Sequence, residues 1–79
     1  MSSTEQLRTA FAESLGIELV QVLDSLSYNS IPQWDSTAHM ILIAELENSF
    51  NVMLDTDDII DMSSVAMAKE ILGKYDIEF

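Results

Sequence analysis

The sequence predicts an all-α protein: a small four-helix bundle with three main helices, a short third helix and a long loop between helices one and two. Apolar residues recur at helical spacing along most of the chain. Clusters of Ser, Asn, Asp and Pro interrupt this spacing at a few points only. The 79 residues suffice for one domain and are too few for two, so residues 1–79 are assigned to a single domain.

The first helix is predicted over residues 3–15. Its apolar side chains recur on one side, at Leu7, Ala10, Phe11 and Leu15. Ser3 and Gln6 match a capping box, in which a hydroxyl and an amide each satisfy a backbone N–H at the helix start. Gly16 follows the last apolar residue and is placed to end the helix, as glycine commonly does.

Residues 17–34 are predicted to form a long crossing loop. The residues that break regular structure there are Ser27, Asn29, Ser30 and Pro32. A loop of this length lets the flanking helices run roughly parallel, because the chain must travel back along the bundle. Trp34 ends the loop and is interpreted as a lid packed on the bundle, with an exposed partner contact as the alternative.

The second helix is predicted to start at Asp35 or Ser36, either of which can cap it, and to run to about Phe50. One side, predicted to face the core, carries Leu42, Ile43, Leu46 and Phe50. The opposite side carries Thr37, Met40, Ile41 and Ala44, edged by Glu47 and Asn48. A helix that is apolar on two sides either lies at the centre of its domain or presents one side to a partner.

Two further helices are predicted in the C-terminal third of the chain. A short helix covers residues 57–61, with Thr56 as its cap. A last helix starts at a cap provided by Ser63 or Ser64 and runs to about Gly73. An EF-hand loop starting at Asp55 would need Gly and Glu at positions where this chain has Ile60 and Ala66, so no metal site is expected.

Charge and composition restrict the possible functions. Fourteen acidic residues and only three basic ones give a net charge of -11. Such a surface repels nucleic acid and anionic membranes but attracts basic patches on protein partners.

Cysteine is absent and histidine occurs once, which removes cysteine nucleophiles and thiolate metal sites. The longest run free of polar residues, at positions 40–44, is far shorter than the ~20 residues of a membrane span. A cytoplasmic, monomeric, non-enzymatic protein is expected.

The start of the second helix resembles the phosphopantetheine attachment site of acyl carrier proteins. The residues that carry the resemblance are Trp34-Asp35-Ser36-Thr37-Ala38-His39-Met40. That site is usually Asp-Ser-Leu, preceded by a loop and followed by an apolar helix. Residues 43–50 are similar to the rest of the family's recognition helix, and the short acidic third helix also matches its layout. The loop at 26–32 resembles that of discrete carriers from specialised pathways.

The resemblance implies that the chain holds an acyl intermediate for the enzymes of a polyketide, lipid or polysaccharide-type pathway. A phosphopantetheinyl transferase would move 4′-phosphopantetheine from coenzyme A onto the hydroxyl of Ser36, beside Asp35. The thiol of this arm would hold the acyl group as a thioester. The other implied partners are acyl-loading and acyl-using enzymes with basic docking patches. The implied docking residues are Thr37, Met40, Ile41, Ala44, Glu47, Asn48, Asp57, Asp58 and Asp61. A helix N-terminus also suits a phosphate, because its N–H groups and dipole favour negative charge.

Other interpretations stay open. Thr37 stands where the family usually has Leu, which keeps a second hypothesis: an interaction module that has the fold but no prosthetic group. The acidity favours an acyl carrier over an aminoacyl or peptidyl carrier. Asp35, Ser36 and His39 could suggest a serine hydrolase, but Ser36 and His39 are neighbours on any helix at this spacing. The Gly-x-Ser-x-Gly motif of one hydrolase class is also missing from the sequence.

Overall fold

The computed structural model describes residues 2–79. Within these residues four α-helices follow one another: α1 (Ser3–Leu15), α2 (Ser36–Phe50), α3 (Thr56–Asp61) and α4 (Val65–Gly73). A single 3-10 turn, Leu19–Gln21, lies in the long α1–α2 loop. Within the described residues there is no β-strand, only an isolated antiparallel bridge between Ser27 and Ser64. The predicted all-α fold, with a short third helix and a long first loop, is confirmed.

The core is built from apolar side chains of the helices and of the α1–α2 loop. The largest fully buried ones are Trp34, Phe11, Leu7, Leu42, Leu46, Met62, Leu72 and Val65. The Phe11 and Trp34 rings meet edge to face, with their centroids 5.4 Å apart. This geometry suits the charge distribution of aromatic rings and adds to the burial of their apolar area. The interpretation of Trp34 as a residue packed on the bundle is confirmed.

The start of α1 differs from the prediction. Ser2, rather than Ser3, caps the helix, and its hydroxyl accepts the N–H of Glu5 at 3.1 Å. The predicted capping box is therefore wrong, because Gln6 reaches across to α2 and donates to the backbone carbonyl of Ser49. The predicted end is confirmed: Gly16 takes a left-handed conformation with φ of 67°.

The later helix starts were predicted in part. Asp35 caps α2, and its Oδ1 accepts the N–H of Ala38 at 2.9 Å. The predicted cap of α3 is wrong, because Thr56 is already the first residue of that helix and Asp55 precedes it. Ser64 caps α4, with its hydroxyl accepting the N–H of Met67 at 3.0 Å. Each bonded cap satisfies a backbone donor that the helix leaves without an internal partner.

The α1–α2 loop is fixed to the bundle at several points. The Arg8 guanidinium on α1 donates to the carbonyls of Leu19 and Val22, at 2.7 and 3.3 Å. Farther along, the N–H of Tyr28 donates to the carbonyl of Ser63 at 2.9 Å. These bonds place the end of the loop beside the segment that joins α3 to α4. Within residues 2–79, no helix combines the length and the apolar character that a membrane span requires.

Candidate functional site

Ser36 is the first residue of α2, and its side chain is exposed. Asp35 supplies the cap, so the capping hydrogen bond does not use the Ser36 hydroxyl. The N-terminus of this 15-residue helix carries unpaired N–H groups and the positive end of the helix dipole. The position therefore offers a solvent-accessible hydroxyl in surroundings that favour an attached phosphate group.

A cavity of about 330 Å³ opens beside Ser36. Its walls come from α2, α3 and the segments on either side of them: Tyr28, Ser36, His39, Met40, Ile59, Ile60, Met62 and Ser63. Most of this lining is apolar. We call this space the α2–α3 cavity. Its residues from α3 and from the loop were not predicted, because sequence spacing on one helix cannot show which distant segments pack against it.

The two apolar sides of α2 have different surroundings. Leu42, Ile43 and Leu46 are buried in the core, and Phe50 is half-buried. On the opposite side Met40 and Ile41 are 57% and 54% exposed, and Thr37 and Ala44 are also exposed. We call Thr37, Met40, Ile41 and Ala44 the docking strip. Its exposure favours the partner-facing interpretation of the second side over a helix buried on both sides.

The polar residues predicted for docking divide into two groups. Asn48 on α2 and both Asp57 and Asp61 on α3 are exposed. Glu47 is half-buried, and its Oε2 accepts the N–H of Leu54 at 2.9 Å. The Glu47 carboxylate therefore holds the link between α2 and α3, so a change at this position would alter that link as well as the surface.

The structure corrects the expectation for Asp58. Its side chain is buried, at 5% exposure, and its Oδ1 lies 2.6 Å from Nζ of Lys74. The Tyr75 hydroxyl donates to the other carboxylate oxygen. The hydrogen bond from Lys74, and then that from Tyr75, lowers the pKa of Asp58 below its ordinary value of 3.8. Asp58 therefore holds α3 against the end of α4 and does not offer its carboxylate to a partner.

The interpretation of Asp58 as a surface residue failed because α3 is only six residues long. A helix of this length is too short for a periodic apolar pattern to identify its buried face. A signal was present elsewhere, in the adjacent Lys74 and Tyr75 of a chain with very few basic residues. Their pairing with one particular Asp among several could be found only in three dimensions.

His39 makes two hydrogen bonds that join three segments. Its Nδ1 accepts the indole N–H of Trp34 at 3.0 Å, and its Nε2 lies 2.8 Å from the carbonyl of Ile59. Both ring nitrogens are thus occupied by groups other than the Ser36 hydroxyl. This arrangement does not fit a serine hydrolase, in which histidine must accept the proton of the serine.

Four aspartates lie within α3 or directly before it: Asp55, Asp57, Asp58 and Asp61. Among residues 2–79, no three His, Asp or Glu side chains gather in a group that could hold a metal ion.

No protein-family model matches the chain, and no curated protein matches it either.

Proposed function

We propose that this chain is a discrete acyl carrier protein and that the Ser36 hydroxyl is its attachment point for 4′-phosphopantetheine. One observation carries the proposal: an exposed serine begins a long helix beside an apolar cavity, while the preceding Asp35 performs the capping. The resemblance of residues 34–40 to the family's attachment site identifies the group that such a hydroxyl would receive.

The residues around Ser36 suit this group. The phosphate would be attached to the Ser36 oxygen, where the helix dipole favours its negative charge. When bound, the group supplies a thiol that carries an acyl chain as a thioester. The α2–α3 cavity offers apolar surface beside that point, which suits an aliphatic rather than a charged cargo.

Attachment needs only an accessible hydroxyl from this chain. The Ser36 oxygen forms a bond to the phosphorus that bears the pantetheine in coenzyme A, and the P–O–P bridge of the coenzyme breaks. The adenosine bisphosphate leaves, and the hydroxyl proton passes to a base of the transferase. Because the transferase supplies the base and the metal ion, the carrier itself requires no catalytic group.

The docking strip and the charge of the surface support recognition by partner enzymes. Met40 and Ile41 expose apolar area on the same helix as Ser36, and Asp57 and Asp61 expose carboxylates on α3. The three basic residues bond to other groups of this chain. Arg8 donates to the loop, Lys69 pairs with Asp24, and Lys74 pairs with Asp58. The remaining negative charge can attract basic patches on a partner.

The test is an intact-mass measurement after incubation with coenzyme A and a broad-specificity phosphopantetheinyl transferase. We expect the chain to gain the mass of one phosphopantetheine, and Ser36→Ala to gain nothing. Ser63→Ala is the matched control, because Ser63 is another exposed serine at the same cavity, and this variant should still be loaded.

A chain that remains unmodified with several transferases, although circular dichroism shows it folded, would contradict the proposal. In that case Thr37→Leu, which introduces the residue usual in the family, is tested in the same assay. Loading of this variant would show that the Thr37 side chain alone prevents the transferase from using Ser36. If the Leu variant also remains unmodified, the interaction module without a prosthetic group becomes the better hypothesis.

A further inference from the structure

We propose that His39 is a positioning residue that holds α3 and Trp34 in place around the α2–α3 cavity, in a way that protonation of its ring disrupts. The inference concerns the unmodified chain, and only its consequence for a carried group rests on the proposed function. His39 lies three residues after Ser36 on α2 and itself lines the cavity. Its hydrogen-bond partners come from the loop on one side and from α3 on the other.

The two partners determine which nitrogen of His39 carries the proton. The indole N–H of Trp34 can only donate, so Nδ1 of His39 must accept. The carbonyl of Ile59 can only accept, so Nε2 must donate. Both bonds are made only by the neutral ring with its proton on Nε2. The positively charged ring would keep the bond to Ile59 and lose the one from Trp34.

The bond to Ile59 satisfies a carbonyl at the end of α3. The last carbonyls of an α-helix have no partner within the helix. In α3 the carbonyl of Asp58 accepts the N–H of Met62, and that of Asp61 accepts the N–H of Ser63. The carbonyl of Ile59 receives the imidazole N–H instead. His39 thus acts as a C-terminal cap supplied by α2, and it fixes the helix that carries Ile59 and Ile60 into the cavity wall.

The bond from Trp34 fixes the other side of the ring. The indole and imidazole planes lie 22° apart, with their centroids separated by 6.1 Å. Tyr28 meets both of these rings edge to face. Trp34 is fully buried, so its N–H depends on His39 for a hydrogen-bond acceptor. Loss of that acceptor leaves a buried donor without a partner, which is a larger cost than the net gain from the bond itself.

Among residues 2–79, no ionisable group on the neighbouring segments forms an ion pair with the His39 ring. Asp35, the residue just before α2, caps the helix through the N–H of Ala38. Asp58, on α3, is bonded to Lys74 and Tyr75. From the loop, Tyr28 presents its ring to the imidazole. A proton gained by His39 therefore acts through its loss of the Trp34 bond rather than through a carboxylate already paired with the ring.

Three substitutions of His39 distinguish the effect of its bond to Ile59 from that of its bond from Trp34. His39→Leu removes both of them while it keeps an apolar side chain. Gln places an amide N–H near the position of Nε2, so His39→Gln can keep the bond to Ile59. Asn places a carbonyl oxygen near the position of Nδ1, so His39→Asn can keep the bond from Trp34. The two amides serve as controls for each other.

The first measurement is hydrogen exchange of the backbone amides in unmodified wild type and variants. Loss of one hydrogen bond to α3 should accelerate exchange at residues 59–63 by about threefold to tenfold in His39→Leu and His39→Asn, relative to the α1 amides. His39→Gln should stay close to wild type. Equal protection of α3 in wild type, Leu and Asn variants would overturn the role of His39 in holding this helix. If His39→Leu does not fold, the exchange rates at residues 59–63 are compared between His39→Asn and His39→Gln. Equal rates in these two variants would then overturn the role of His39 in holding α3.

The second measurement is the fluorescence of Trp34, the single tryptophan of the chain. In wild type it should change when the solution is acidified, because a protonated His39 ring can no longer accept the indole N–H. In all three variants this change should be absent. A wild-type profile that is flat, or one that the variants share, would overturn the proposed sensitivity to protonation. Because neither measurement involves the prosthetic group, failure here is distinguishable from failure of phosphopantetheine attachment.

Discussion

At the scale of single residues, Asp35 and Ser36 perform separate tasks at the start of α2. Asp35 caps the helix through Ala38, and Ser36 exposes its hydroxyl on the first turn. The sequence allowed either residue to be the cap, because both side chains can accept a backbone N–H. The structure assigns the cap to the aspartate, so the serine hydroxyl takes no part in the capping bond.

Asp35→Ala tests this division of tasks. Loss of the cap should lower the free energy of unfolding by about 1 kcal/mol, since a side-chain cap contributes about that much to a helix. The Ser36 hydroxyl remains, so the variant should still accept one phosphopantetheine at long incubation times. Urea unfolding and intact mass give the two results. A fully stable variant would show that the Ala38 N–H is satisfied in another way.

At the scale of secondary-structure elements, α3 depends on contacts from outside itself. A six-residue helix has few internal hydrogen bonds and is unstable alone. His39 bonds to the carbonyl of Ile59, and Lys74 and Tyr75 bond to Asp58. The position of this cavity wall is therefore set by α2 on one side and by the end of α4 on the other.

The contacts of Asp58 predict a pH dependence of stability. Because the pKa of Asp58 is lowered in the folded state, its contribution is present above the ordinary value of 3.8 and is lost as the pH falls through the folded-state pKa. The pKa of Lys74 is raised above its ordinary 10.5 by the hydrogen bond to Asp58, and so is that of Tyr75 above 10.0. Their contributions are present below those values and are lost as the pH rises through the folded-state pKa of each group.

Urea unfolding of wild type and Asp58→Asn across pH measures this dependence. Wild type should be the more stable protein at neutral pH, and the difference between the two should shrink as the pH falls below 3.8. It should also shrink in strongly alkaline solution. Asp57→Asn, on the exposed side of the same helix, is the matched control. A difference between wild type and Asp58→Asn that stays constant in acid would show that the carboxylate charge contributes nothing to the fold.

At the scale of the whole molecule, charge and exposed apolar area act together. A net charge of -11 would attract a basic protein from many directions, whereas the docking strip lies on one face of the molecule only. Exposed apolar side chains also occur elsewhere, and Val20 on the 3-10 turn is 75% exposed. Exposure alone thus does not identify a partner surface. Under the proposed function, the position of the strip beside Ser36 distinguishes it from Val20.

Met40→Glu and Val20→Glu distinguish the effect of an added negative charge from the effect of a change within the docking strip. Each adds one negative charge, so both should keep the electrostatic attraction of a basic transferase. Met40→Glu places a charge within the strip and should lower kcat/KM for phosphopantetheine transfer by about fivefold or more, the effect of losing an important interface residue. Val20→Glu should leave kcat/KM near that of wild type. Equal values for the two variants would remove the docking strip from the interface with that transferase.

The sequence alone determined the fold class, the extent of α1 and α2, and the candidate attachment serine. Apolar spacing and helix-ending residues are local signals, and a long helix repeats them often enough to be identified. Gly16 and Leu42 are examples, since the first ends α1 and the second is fully buried, as expected.

Only the tertiary structure decided the contacts of Asp58 and His39 and the existence of the α2–α3 cavity. Asp58 has the same side chain as Asp57 beside it, and only its proximity to Lys74 and Tyr75 makes it structural. His39 acts through a buried indole and through a carbonyl twenty residues away. Hydrogen bonds and cavities between distant segments depend on how the helices pack together, and local sequence patterns do not contain that information.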